Sequence, residues 1–204
     1  MDSVEREPED RPETWPVVES SYLHRDHWVM ALRQDLLHRP GRPDDEPFRR
    51  LVLEAPGAVI VLALDEAERV LCLRQYRHPV ERVLVELPAG LLDQPGEEPL
   101  DVAKRELLEE GGLVADRWTH LLSAYPSPGI SSEVHHYYLA RDVRPGPPND
   151  FVLEHEEAEM ERVWVPFQRL RAAVLDGRVA DAPVALAVLA CAARGLVPGT
   201  AVQE

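Results

Sequence analysis

Two kinds of hydrophobic pattern alternate along this chain. Residues 57–64 and 69–76 are β-rich apolar runs on either side of the polar turn Asp65-Glu66-Ala67-Glu68, and together they predict a core hairpin. Residues 83–87 read as a further short strand, and residues 131–140 and 163–167 add two more, with a Pro/Gly-rich linker at 144–150 between them. Helical periodicity appears at 99–110, 167–176 and 184–194. The last of these is so rich in alanine that it is either packed internally or held against another subunit. Ahead of these elements, residues 1–14 lack apolar periodicity and are predicted to be disordered. Residues 15–53 mix short β-favouring runs, Val17-Val18 and residues 27–30, with a polar, proline-rich segment at 39–45, and predict a small β subdomain. Strands and helices interleave, which is the signature of a layered α/β domain.

The 99–110 helix carries the candidate chemistry. Pro99 suits the first helical position and Gly111-Gly112 supply a stop. At 3.6 residues per turn Glu106 and Glu110 stack at i,i+4 with Glu109 beside them, while Leu100, Ala103 and Leu107 form an apolar stripe about a quarter-turn away. Like charges at that spacing cost about 0.2–0.5 kcal/mol. Acids in the last turn oppose the helix dipole by a further ~0.3–1 kcal/mol. A solvated face alone does not favour such a placement, whereas clustered hard oxygens are what Mg²⁺ needs. Arg105 is suited to holding a glutamate through a two-pronged hydrogen bond.

Residues 90–113 resemble the Nudix box, in which a glycine leads to Glu and then to Arg-Glu-apolar-any-Glu-Glu-any-Gly-apolar. Glu97, Arg105, Glu106, Leu107, Glu109, Glu110, Gly112 and Leu113 meet that pattern. One departure is visible: six residues, not five, separate Gly90 from Glu97. The extra residue falls in the Asp93-Gln94-Pro95-Gly96 turn, outside the helix, so it should alter the loop without moving the carboxylates relative to one another.

The resemblance covers roughly residues 50–195 and is strongest with the ADP-ribose pyrophosphatase branch, through residues 74–80, residues 86–93 and Pro128, which lies fifteen residues past the box. It implies a Nudix α/β/α sandwich over 54–196, after the 15–53 β subdomain and before a tail at 197–204. It also implies Mg²⁺-dependent hydrolysis of ADP-ribose to AMP and ribose 5-phosphate, with Mn²⁺ as an alternative metal. Glu106, Glu109, Glu110 and the carbonyl of Ala89 would be metal ligands. Arg77, or less well Arg74, would contact substrate phosphate, with Glu86 and Pro128 at the pocket. Glu156, or next Glu157, would be the base or complete the metal site. Arg105 would act through the glutamates. Similar enzymes are dimers in which the N-terminal β segment reaches the partner, and Trp15, Trp28 and Phe48 could furnish a stacking ring or simply core. His78, His135 and His136 are expected to be structural or surface residues. The alternatives are another nucleoside diphosphate sugar, an oxidised nucleotide, or a sensor that binds ADP-ribose without cleaving it.

Composition narrows the setting. With 204 residues, 45% of them hydrophobic, the chain can bury a full core in one main domain. A formal charge of −15 and an isoelectric point near 4.9 argue against a nucleic-acid surface. An anionic substrate, such as the small nucleotide sugar that the resemblance implies, would need metals and a few local arginines. Cys72 and Cys191 sit in apolar runs without metal-ligand spacing and are expected as reduced, buried thiols. No run is long enough to cross a bilayer and the N-terminus is acidic, so a cytoplasmic protein is expected.

Overall fold

The computed structural model describes residues 8–25, 30–94, 96–148 and 159–199. The chain divides into two compact units, Met1–Glu54 and Ala55–Glu204.

The first unit is an antiparallel sheet of β1 (Val17–Arg25), β2 (Ala31–Leu37) and β3 (Phe48–Glu54), with β2 in the middle. The expected run at 27–30 lies almost wholly outside the described residues, and the strand that follows it, β2, is one that apolar patterning alone does not announce. Its Asp35 is buried because it is fully engaged. Ser20 Oγ donates to Asp35 Oδ1 at 2.6 Å, and Arg33 donates to both carboxylate oxygens at 2.9 Å. These bonds, that from Arg33 foremost, hold the carboxyl below the usual range. Trp15 meets Phe48 edge-on at 6.2 Å. Trp28 lies outside the described residues. Residues 8–14 form no helix or strand.

In the second unit the strands are β4 (Ala58–Ala63), β5 (Arg69–Arg77), β6 (Arg82–Glu86), β7 (Ala89–Leu91), β8 (Leu113–Ala124), β9 (His135–Pro145) and β10 (Glu161–Pro166). The helices are α1 (Pro99–Glu109), α2 (Phe167–Leu175) and α3 (Ala182–Ala193). The predicted hairpin of residues 57–76 is corrected here. Leu64 and Val70 make a single bridge, after which β4 enters the sheet β7-β4-β9-β8 and β5 enters the sheet β10-β5-β6. β4 is buried throughout and β5 over residues 70–73, and a run that is apolar on both faces does not specify its neighbour by alternation. The partner of β4 in the interior is β9, which runs parallel to it.

Side chains alternate across β4 and split the core in two. Ile60, Leu62 and Leu64 join Tyr137, Leu139 and the helix residues Phe167, Leu170, Val184, Val188 and Cys191. Val59, Val61 and Ala63 join Tyr138, Ala140 and, from α1, Val102, Ala103 and Leu107. Helices therefore cover both faces of the sheet, and the chain folds as the expected α/β/α sandwich. Each large aliphatic side chain buried this way contributes about 1.5–3 kcal/mol. Of the α3 alanines, Ala187 and Ala192 are buried with Val184, Val188 and Cys191, whereas Ala182 and Ala193 are exposed. On α1 the fully buried stripe is Val102, Ala103 and Leu107, with Leu100 only partly covered.

The 12-residue strand β8 is absent from the sequence reading. It is an edge strand in which only Leu121 is buried, so its pattern lacks the apolar density of β4. Residues 131–134, expected in a strand, precede β9 as a loop, and β9 continues to Pro145. No helix among the described residues is long and apolar enough to cross a membrane.

Candidate active site

The site is built where β7 passes the last two turns of α1. Pro99 occupies the first turn of that helix, and Gly112, at a φ of +67°, ends it in the left-handed conformation. Glu106 and Glu110 are buried, at 8% and 7% exposure. Carboxylates almost never reach that depth without partners. Glu110 Oε2 accepts a 2.8 Å hydrogen bond from the Ala89 N–H. Gly90 lies against Glu106, leaving no room for a side chain.

Arg105 gathers the acids. Its guanidinium donates to Glu106 at 2.7 Å, to Glu109 at 3.1 Å and to Glu97 at 3.5 Å. Burial works against its charge, but Glu106, Glu97 and Glu109 outweigh that cost and its pKa is raised. The turn that holds the extra residue therefore still delivers Glu97 to the same arginine. Glu97 Oε2 is buried and accepts no hydrogen bond from the protein. One arginine thus faces three carboxylates, with a fourth, Glu110, close by and an orphaned buried oxygen at the edge. This surplus of hard anionic oxygen fits a divalent cation. Among the described residues no three acidic, His or Cys side chains are already closed around an ion position. In this arrangement Arg105 and the Ala89 N–H occupy the carboxylates.

A second cluster adjoins the first. Arg77, at the end of β5, makes a forked pair with Glu86 of β6: Nη2 to Oε2 at 2.7 Å and Nε to Oε1 at 2.9 Å. Glu86 is buried and the Arg77 side chain is about half exposed, 47%. That hydrogen bonding, with added attraction from Glu110 and Asp181, raises the Arg77 pKa. Arg74 goes elsewhere. It pairs at 3.1 Å with Glu161, its cross-strand partner on β10, so the two arginines do not share a pocket. Pro128 lies in an exposed turn closed by hydrogen bonds from the Ile130 and Ser131 N–H groups to Ser127 O. Glu156 and Glu157 lie outside the described residues. His78, His135 and His136 engage neighbouring side chains, Tyr76, Glu133 and Ser123 respectively.

Sequence reasoning did not find Asp181. It caps α3, accepting a 2.9 Å bond from the Val184 N–H. Burial pushes its pKa up to about 6, the cap bond pulls it down, Glu86 raises it, and Arg77 and His135 lower it. The Asp-x-Pro signal at 181–183 marks a helix start, but nothing local says that this start faces Arg77 and Glu86.

The fold and site together define a layered α/β protein that presents a buried glutamate cluster, on a glycine-led loop and helix, beside an arginine. Residues 54–187 match the family model of the NUDIX domain, and the chain belongs to that family. Its members generally need divalent metal ions. The chain is 40% identical over 163 residues to the ADP-ribose pyrophosphatase of Mycobacterium tuberculosis, covering 79% of this chain and 76% of that protein. It is 41% identical over 101 residues to the ADP-ribose pyrophosphatase of Bacillus subtilis, covering 50% of this chain and 54% of that one. Among solved structures, one described as an ADP compounds hydrolase shares the fold, with a TM-score of 0.72 over 94% of this chain and 98% of the other at 19% identity.

Proposed function

We propose that this chain is a Nudix pyrophosphohydrolase that cleaves the diphosphate of ADP-ribose to AMP and ribose 5-phosphate, with Mg²⁺ as its metal and Mn²⁺ as a substitute. The observation that carries the reading is the buried Glu106–Glu110 face against Ala89 and Gly90. The likeness to two ADP-ribose pyrophosphatases directs it to this substrate.

Glu106 and Glu110 are the main side-chain ligands, Glu109 a further ligand or water anchor, and the carbonyl of Ala89 the backbone ligand. A divalent ion held there supplies charge to offset the diphosphate oxygens and acidifies a bound water. Arg105 positions the glutamates. Arg77, in preference to Arg74, offers its planar guanidinium to phosphate oxygens while Glu86 fixes its orientation. The Pro128 turn borders the substrate. Glu156, with Glu157 second, takes the proton from the attacking water. Because phosphoryl displacement depends on positioning and charge stabilisation, these residues need only be held in place.

The active form is a homodimer formed through the first unit. The apolar side chains Val17, Val18, Tyr22 and Leu23 of β1 are at least half exposed in a single chain, which supports this. The reduced, buried Cys72 and Cys191 suit the cytoplasm. The substrate is a small molecule, and the acidic surface offers no footing for nucleic acid.

Purified protein incubated with ADP-ribose and a panel of nucleoside diphosphate sugars, with and without Mg²⁺, tests the reading by chromatography of the products. AMP formed fastest from ADP-ribose and only with metal is the expected result. Faster cleavage of another diphosphate overturns the substrate, and ligand-dependent thermal stabilisation without cleavage overturns the enzyme.

A further inference from the structure

One side-chain cluster of the second unit has no part in the chemistry above. His120 Nε2 stands 3.0 Å from Ser123 Oγ, and the same hydroxyl oxygen stands 2.8 Å from His136 Nδ1. Ser123 of β8 is paired directly with His136 of β9, and His120 with Tyr138. In a regular strand residues three apart point to opposite faces, so His120 and Ser123 should not meet. They meet because the register slips between His120 and Leu122. This bulge lets Leu121 and Leu122 both pack into the core under α2 and α3, and it brings His120 onto the face of Ser123, His136 and Tyr138. The irregularity is fixed from behind. Arg194, at the C-terminal end of α3, donates to the carbonyls of both His120, at 3.0 Å, and Leu121, at 2.8 Å. The Tyr138 ring lies edge-on to His120 with 5.4 Å between centroids and steadies the imidazole.

We propose that His120 Nε2, His136 Nδ1 and the Ser123 hydroxyl form a second metal site, for an imidazole-preferring transition ion of the Cu²⁺, Ni²⁺ or Zn²⁺ class. Two ring nitrogens converge on one oxygen at 3.0 and 2.8 Å, separations of the size found between neighbouring ligands of one ion that binds each at roughly 2.0–2.1 Å. Imidazole suits these metals, whereas carboxylate suits Mg²⁺, so the two sites select different ions. Burial, and then His120 and His135, lower the pKa of His136, which favours the neutral ring that a metal ion requires. The neighbouring His135 faces the other way and is taken up by Glu133 and Tyr137. Across the sheet, Val59 pairs with both Gly90 and His136. His136 therefore lies two strands from Gly90, about 10 Å at the usual strand spacing, and the second ion does not share the glutamates.

Untagged full-length protein, held in excess Mg²⁺ to occupy the carboxylates, is titrated with Cu²⁺ and followed by electron paramagnetic resonance. The first equivalent is expected to show superhyperfine coupling to two imidazole nitrogens. His120→Asn and His136→Asn should each weaken that first step at least tenfold. A first equivalent with the same affinity and spectrum in wild type and both variants would place the ion at other histidines and overturn the proposal. If His136→Asn fails to fold, His120→Asn, whose ring is exposed, decides alone.

Discussion

A methyl group on the α-carbon of Gly90 would stand 2.0 Å from Oε1 of Glu106. The glycine that opens the box therefore gives the carboxylate its place against β7. Gly90→Ala must push Glu106 aside or shift β7, and overpacking of this kind costs about 1–3 kcal/mol. A displacement of about 1 Å at a ligand is enough to lower turnover on the order of 100-fold. Comparing kcat with the melting temperature checks this, and a variant as active as wild type would show that Glu106 need not sit where it does.

Glu110→Gln separates charge from structure. The amide oxygen can still accept from the Ala89 N–H, so the loop–helix contact persists. What disappears is the negative charge of the proposed ligand, and the expected loss is roughly 10²–10³-fold in kcat with little change in melting temperature. A rate equal to wild type would sink the assignment of Glu110 as a ligand.

Arg77→Lys keeps the charge beside Glu86 but removes the fork that makes two bonds at once. Substrate affinity should suffer more than chemistry, with KM for ADP-ribose raised about tenfold. Arg74→Lys, whose partner is Glu161, should change KM far less. Equal effects in the two variants would argue against a special role for Arg77.

Asp181 makes stability depend on pH in the direction opposite to a salt-bridged acid. Its folded pKa, about 6 through burial first and Glu86 later, lies above the roughly 3.9 of an unfolded aspartate. The folded chain holds the proton more tightly, so this contribution is fully present below about pH 3.9 and is lost as pH rises through about 6. The loss amounts to at most about 3 kcal/mol. Asn can cap Val184 equally well and does not ionise. Asp181→Asn should therefore gain on wild type between about pH 4 and pH 7 in urea unfolding. Parallel pH curves would show that Asp181 titrates normally in the folded chain.

Much of the site was written locally. Pro99, Gly111-Gly112 and the i,i+4 spacing of Glu106 and Glu110 define a helix and its face within a dozen residues, because periodicity and chain punctuation act over single turns. The strands β6 and β10 and the helices α2 and α3 were legible for the same reason, each to within two residues or so at its ends. So was the layered α/β class, from the interleaving of the two patterns, while the sandwich was implied by the family resemblance.

Partners distant in sequence were not. The buried run of β4 fits any apolar neighbour, and only the assembled sheet selects β9 in parallel and sends β5 to another sheet. The edge strand β8 is half polar because one side of it meets no strand, so its pattern is faint until β9 pairs with it. Arg74 and Arg77 look alike in the chain, yet strand register gives Arg74 to Glu161, while Arg77, whose register partner is Arg82, reaches back along the sheet face to Glu86. The approach of Asp181 to that pair, and the bulge that joins His120 to Ser123, likewise arise from contacts between segments far apart in sequence. The sequence by itself determined which residues could do chemistry, because their types and local spacing are intrinsic to it. Tertiary structure decided which of them meet, because pairing and burial are properties of the whole folded chain.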